Sequence, residues 1–156
     1  MKIVFGVCVF AVFLLAAAGC GGSGKDDESR ERLEKMTGGP LKGTVSITGH
    51  VLVDGKPMAG VNLYLFPISG GTSLRQCRTN AEGMYCWSTY VNCDGLEAGS
   101  YRIAFRLIPE EHDNENSEVT DDLFMSRYSN PTKVNYPLTV EANSPKTDVD
   151  YDLKMN

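Results

Sequence analysis

The chain has 156 residues, 42% of them hydrophobic and 22% charged, which is enough for one core and too little for a second once the ends are set aside. Its formal net charge is -5, lower by one if Lys2 is lost with a leader, and no run of lysines and arginines interrupts the acidic balance, so nucleic acid and anionic lipid headgroups are poor partners. The five cysteines, Cys8, Cys20, Cys77, Cys86 and Cys93, include no CxxC pair, and neither His50 nor His112 stands near one in sequence, so no metal site is expected.

At the amino end, Met1-Lys2 precedes an apolar run over residues 3–18, and Ala17-Ala18-Gly19 stands immediately before Cys20. A short positive region, a hydrophobic region and small residues before a cut describe a secretory signal, and the run is short for a membrane span of ~20 residues. The small residues before Cys20 resemble the lipobox of bacterial lipoproteins, although that family prefers a leucine where this chain has Ala17, and Leu15 lies two residues further back. The resemblance implies diacylglyceryl transfer to the Cys20 thiol, cleavage before it and acylation of the new amino group. Residues 1–19 are therefore expected to be a lipoprotein signal peptide; an ordinary signal peptide or a retained membrane helix is the alternative. Two or three acyl chains hold firmly where one does not, each buried CH₂ contributing ~0.8 kcal/mol.

Residues 20–42 read as a flexible linker. Gly-Cys-Gly-Gly-Ser-Gly suits a tether, and residues 25–35 are almost wholly charged with Leu33 as the single large apolar residue, which predicts disorder or a frayed helix, with a docking helix as the functional alternative. Gly38-Gly39-Pro40 ends the segment.

From residue 44 the pattern is short strands separated by turn chemistry. Val45, Ile47, Gly49, Val51 and Val53, then Val61, Leu63 and Leu65, flank Asp54-Gly55 and Pro57 and predict a β-hairpin. Residues 67–72 form a Gly-rich connection, and 73–79 and 84–90 flank Asn80-Ala81-Glu82-Gly83 as a second hairpin. In residues 101–108, Tyr101, Ile103, Phe105 and Leu107 share one face while Arg102 and Arg106 share the other. An acidic loop over 110–122, a helical turn over 123–128, a brief strand over 138–141 and a last strand over 147–155 follow. There Val149, Tyr151 and Leu153 alternate with Asp148, Asp150 and Asp152, charges that would discourage edge pairing. About seven short strands predict an all-β sandwich, with a closed barrel as runner-up.

The ordered set Gly49-x-Val51, Asp54-Gly55-Lys56-Pro57, Gly60-Val61, Thr79-Asn80-Ala81-Glu82-Gly83-Met84-Tyr85 and Asp94-Gly95-Leu96-Glu97-Ala98-Gly99-Ser100-Tyr101 resembles the carboxypeptidase regulatory-like domain. Tyr128-Ser129-Asn130-Pro131 and Asp150-Tyr151-Asp152-Leu153 look like the tail of its lipoprotein branch. The resemblance implies a transthyretin-like, Ig-like sandwich over residues 43–156 that serves as a non-catalytic surface or accessory module with no active site of its own.

If 80–83 is a four-residue turn, Cys77 faces Cys86 and the two are placed for a disulfide, while Cys93 could instead take either of them, and the absence of any bridge is the remaining alternative. A nucleophilic pair of Cys93 with His50 or His112 lacks any sign that the groups meet. No G-x-S-x-G elbow and no phosphate loop is present. The acidic stretch lacks the order of a known Ca²⁺ loop and reads as solvated. Tyr85 and Trp87 share a face and read as core rather than as a sugar-stacking platform, and Tyr101 points inward with a hydroxyl that needs a partner at the rim. The expectation is a lipid-anchored cell-envelope module facing the periplasm or exterior, with no cofactor, bound to the membrane and to a protein or glycan partner. A carbohydrate- or peptide-binding accessory subunit of a separate enzyme is the second reading.

Overall fold

The structure is a computed structural model that describes residues 23–109 and 122–155. The expected signal peptide, Cys20, His112 and residues 110–121 of the acidic stretch lie outside the described residues. The chain forms two units, Met1–Pro40 and Leu41–Asn156, each taken by itself below.

In the first unit, Ser23–Thr37 is an α-helix, α1, so the helical alternative for the charged segment is the one found. It is built from good helix formers and carries two i,i+4 ion pairs, Arg30 Nε to Glu34 Oε1 at 3.2 Å and Lys35 Nζ to Glu31 Oε1 at 3.1 Å. Gly38, at φ +76°, lets Gly39 N–H donate back to the Glu34 carbonyl (3.1 Å), which satisfies an otherwise open carbonyl at the helix end. Met36 is 76% exposed, and no helix among the described residues is long and apolar enough to cross a membrane.

Among its described residues the second unit contains ten strands: β1 (Thr44–Val45), β2 (Thr48–Val53), β3 (Lys56–Pro57), β4 (Val61–Pro67), β5 (Arg75–Arg78), β6 (Met84–Cys86), β7 (Leu96–Glu97), β8 (Gly99–Leu107), β9 (Pro137–Val140) and β10 (Tyr151–Leu153). Three have only two residues, leaving seven of substance. They form an all-β sandwich. One antiparallel sheet runs β5-β4-β8-β9. In the other, β2 is central, with β10 parallel on one side and β6 and β3 antiparallel to it; β1 and β7 make a small separate ribbon. The order is open, not a barrel.

Period-two alternation explains the layers. Val61, Leu63 and Leu65 of β4, Ile103, Phe105 and Leu107 of β8, and Leu138 and Val140 of β9 are buried against Val51 and Val53 of β2, Tyr85 of β6, and Tyr151 and Leu153 of β10. Phe105 meets Tyr151 edge-on at 5.0 Å between ring centroids, and Tyr136 lies 5.1 Å from Phe105. Trp87, fully buried, completes the filled interior.

Both expected hairpins are rearranged. Asp54 (φ 52°) and Gly55 (φ 76°) make a tight turn from β2 to the short β3, after which the chain crosses, so β4 joins the opposite sheet rather than pairing with β2. The crossing is pinned by buried Thr79, whose hydroxyl donates to Met58 O (2.7 Å) and accepts from Val61 N–H (2.9 Å). The 80–83 turn forms as expected, with Asn80 Oδ1 accepting from Glu82 and Met84 N–H, but beyond it β5 pairs with β4 while β6 pairs with β2. Each strand thereby buries its own apolar face on the far side of the core, which two-stranded pairing would not allow.

Residues 123–128 are consecutive turns, with Met125 (φ 52°) and Ser126 (φ 60°) left-handed, rather than one helical turn. Of the expected last strand, Tyr151–Leu153 forms β10; residues 146–149 track the start of β2 through Thr48 N–H to Lys146 O (2.9 Å) and Val149 N–H to Thr48 O (3.1 Å). That approach requires glycine at position 49, where a Cβ would overlap the Val149 carbonyl.

Candidate functional site

The three cysteines of the domain line one groove of about 630 Å³ between the diverging β5 and β6, together with Thr48, Gln76, Asn80, Met84 and Tyr85. The disulfide is Cys86–Cys93, with Cα atoms 5.3 Å apart, and Cys77 is a free thiol, which corrects the expected Cys77–Cys86 pairing. The cause is topological: Cys77 lies opposite Leu63 in one sheet and Cys86 opposite Thr48 in the other. Cys93, at φ 57°, is brought to Cys86 by a loop tied to Asp94, whose carboxylate accepts from Thr89 N–H (2.6 Å) and Tyr90 N–H (3.0 Å). Gly95 (φ +96°) closes the loop against the Val45 carbonyl, leaving no room for a side chain.

This arrangement removes the candidate nucleophile, because Cys93 carries no thiol. Burial pushes the Cys77 thiol far up, so it stays protonated and unreactive at neutral pH. His50 is half-buried; its imidazole Nδ1 stands 3.5 Å from Asp150, whose carboxylate accepts the His50 backbone N–H at 2.7 Å.

Asp122 departs from the solvated reading of the acidic stretch: it is 3% exposed. Its Oδ1 accepts from Leu107 N–H (2.9 Å) and Phe124 N–H (3.1 Å), and its Oδ2 from Ser126 N–H (3.1 Å), so the carboxylate ties the end of β8 to the turn at Phe124 and left-handed Ser126, while the Asp122 backbone carbonyl accepts from Met125 N–H (2.8 Å). Asp152 accepts Gly55 N–H at 3.2 Å, and that bond, with Lys154 beside it, holds its carboxyl below the usual range. Asp150 and Asp152 therefore splint the turn and strand they adjoin, beyond guarding an edge. No group of three or more His, Cys, Asp or Glu that could hold a metal occurs among the described residues.

Tyr85 and Trp87 are core residues, 2% and 0% exposed. The Tyr85 hydroxyl donates to Val149 O at 2.6 Å, whereas the neighbouring Tyr151 hydroxyl and Trp87 Nε1 are buried without a well-formed hydrogen bond. Tyr101 finds the rim partner expected of it, donating to Glu97 O at 3.0 Å. Glu97 in turn accepts from the Tyr90 hydroxyl (2.8 Å) and Lys42 Nζ (3.0 Å), which together keep its carboxyl low. A small hollow of about 160 Å³ lies here, between Arg75, Thr89, Glu97 and Tyr101.

The outer face of the β5-β4-β8 sheet was not singled out from sequence. Register and alternation put Gln76 and Arg78 of β5, Asn62, Tyr64 and Phe66 of β4, and Arg102, Ala104 and Arg106 of β8 on it. Among the described residues these positions hold three guanidinium groups, those of Arg78, Arg102 and Arg106, and no carboxylate, in a chain of net charge -5. The Arg106 guanidinium lies 5.8 Å from the Tyr64 ring centroid, and Ala104 is 1% exposed. No ion pair among the described residues engages Arg102 or Arg106. The signal was present as the shared face of Arg102 and Arg106; what sequence lacked was the neighbouring strand.

No known family profile matches the chain, and no curated protein does. Among solved structures it is similar to a backbone pilin of Streptococcus pyogenes (16% identity, 63% of this chain and 16% of that one, TM-score 0.38). It is also similar to the major pilin subunit of Bacillus cereus (15%, 74% and 30%, 0.39) and to a DUF3823 family protein of Parabacteroides merdae (13%, 73% and 46%, 0.39). The chain spans less than half of each of these proteins.

Proposed function

We propose that this is a non-catalytic, lipid-anchored module of the cell envelope, facing the periplasm or exterior. In this reading residues 1–19 are the signal peptide, Cys20 carries the lipid, residues 20–42 are the spacer containing α1, and residues 43–156 are a sandwich of the carboxypeptidase regulatory-like kind. The observation that carries the non-catalytic part is how the inner carboxylates are occupied. Asp122 and Asp94 accept backbone N–H groups on both oxygens, the Cys77 thiol is held protonated, and the space between the sheets is filled by aromatic rings. Reactive groups poised for chemistry would instead converge on a cleft with lone pairs or protons to give. Export is supported by the Cys86–Cys93 bridge, since disulfides persist in oxidising compartments.

The second reading, an accessory subunit that binds a glycan or peptide, is favoured by the open arginine and aromatic face. Anchoring is tested by intact-mass analysis of the full chain expressed in a bacterium with lipoprotein processing. The expected amino-terminal residue is an acylated Cys20, with Cys20→Ala moving the protein out of the membrane fraction. An intact Met1 or an unmodified Cys20 would overturn it.

A further inference from the structure

We infer that the outer face of the β5-β4-β8 sheet binds an acidic polysaccharide, a polymer of sugars bearing carboxylates. The inference rests on the binding-module reading and names the ligand class. Three features converge on it. The aromatic ridge of Tyr64 and Phe66 is partly exposed and runs along β4, in line with the half-exposed Ile68 just beyond the strand. Arg102 and Arg106 flank that ridge on β8, opposite Phe66 and Asn62 respectively. On the other side Gln76 lies opposite Tyr64.

Each group matches a part of such a ligand. Electron-rich ring faces attract the polarised C–H faces of sugar rings. Guanidinium forks take carboxylates in bidentate fashion, and among the described residues no ion pair engages those of Arg102 and Arg106. The Asn62 and Gln76 amides each donate and accept, as sugar hydroxyls do. A pleated face of adjoining strands about 4.8 Å apart offers these groups side by side over a broad, shallow surface, suited to an extended polymer rather than to a small molecule that needs a pocket. The net charge of -5 works against non-specific attraction of a polyanion by the chain as a whole. An acidic peptide would be drawn by the arginines alone and would leave the ridge without a role.

The test uses the full chain in detergent with polygalacturonate, neutral dextran and poly-glutamate as probes, read by affinity electrophoresis. Retardation by polygalacturonate and not by dextran is expected. Arg102→Gln should weaken it several-fold, and the Arg102→Gln/Arg106→Gln pair by at least ~10-fold, with Arg→Lys at both positions only partly restoring it. Phe66→Ser should weaken it several-fold while leaving any poly-glutamate retardation untouched. Arg102→Gln keeps the test decisive if the double variant misfolds, because no side-chain hydrogen bond or ion pair within the described residues uses the Arg102 guanidinium. Absence of polygalacturonate binding, insensitivity of that binding to Arg102→Gln or to Phe66→Ser, or poly-glutamate binding as strong as that of polygalacturonate would each overturn the inference. An unmodified Cys20 with polygalacturonate binding intact would sink the anchor alone, since binding is read away from any membrane.

Discussion

β4 and β8 pair over seven successive residues, whereas β2 meets β10 over three, β6 over three and β3 over two. The first sheet is held by a continuous backbone ladder. The second substitutes side chains for missing rungs: Asp150 takes His50 N–H, Asp152 takes Gly55 N–H, and the Tyr85 hydroxyl reaches Val149 O. Where strands are long, the backbone ladder leaves outward-facing side chains such as Tyr64, Arg102 and Arg106 unneeded for holding it. Where strands are short, polar side chains are drawn into holding the backbone and are less available for anything else.

Asp122→Ala should have the largest effect, because it imports the weakness of the short-stranded sheet to the end of β8. Three N–H groups lose their acceptor, at ~1 kcal/mol or more apiece, so a loss of about 3 kcal/mol or more in urea unfolding is expected, with Asp122→Asn recovering part of it. Cys93→Ser removes the bridge that closes residues 86–93 and should cost about 2.5 kcal/mol on the chain-entropy estimate; peptide mapping without reductant should recover Cys86 joined to Cys93 and Cys77 alone. Gly49→Ala should cost about 1–3 kcal/mol by driving residues 146–149 off β2, and amide exchange should quicken there while β4 and β8 stay protected.

A pH series separates the interior from both surfaces. Burial raises Cys77 and Tyr85, and pushes Tyr151 up to about 12, so the folded state keeps protons that the unfolded chain gives up above the ordinary values of 9 and 10. Stability is then undiminished by these groups below pH 9 and falls as pH rises above it, by about 1.4 kcal/mol for each further unit over which the Cys77 thiol alone stays protonated. A urea midpoint that does not move between pH 9 and 10.5 would contradict this, and Cys77→Ala should delay the fall. The smallest effect belongs to Tyr151→Phe. Deleting a buried hydroxyl without a well-formed bond should leave the melting temperature unchanged or raise it.

The same division separates what sequence reveals from what it hides. Residues 101–108 are legible as β8 because strict alternation over that length has one meaning, and Tyr85 and Trp87 are legible as core from their shared face. The Asp54-Gly55 and Asn80–Gly83 turns are legible as turns, but a turn fixes only its own two arms, and neither says which sheet the next strand enters. The disulfide partner was lost with that choice. Asp122 stands at the end of an acidic run whose composition gives no sign of which carboxylate is buried; the distinction comes from the left-handed backbone at Met125 and Ser126, which composition does not carry. The basic face escaped because its arginines come from β5 and β8, more than twenty residues apart in the chain, and meet only through β4.

His50 and Asp150 are bonded across a separation of 100 residues, and β2 has nothing on that flank until residues 146–153 arrive. Synthesis therefore delivers an early strand that must wait, half-clad, for nearly the whole domain to emerge before its last neighbour can settle on it. Pairings of such long sequence separation form slowly, so the parallel β2–β10 contact is expected to settle among the last.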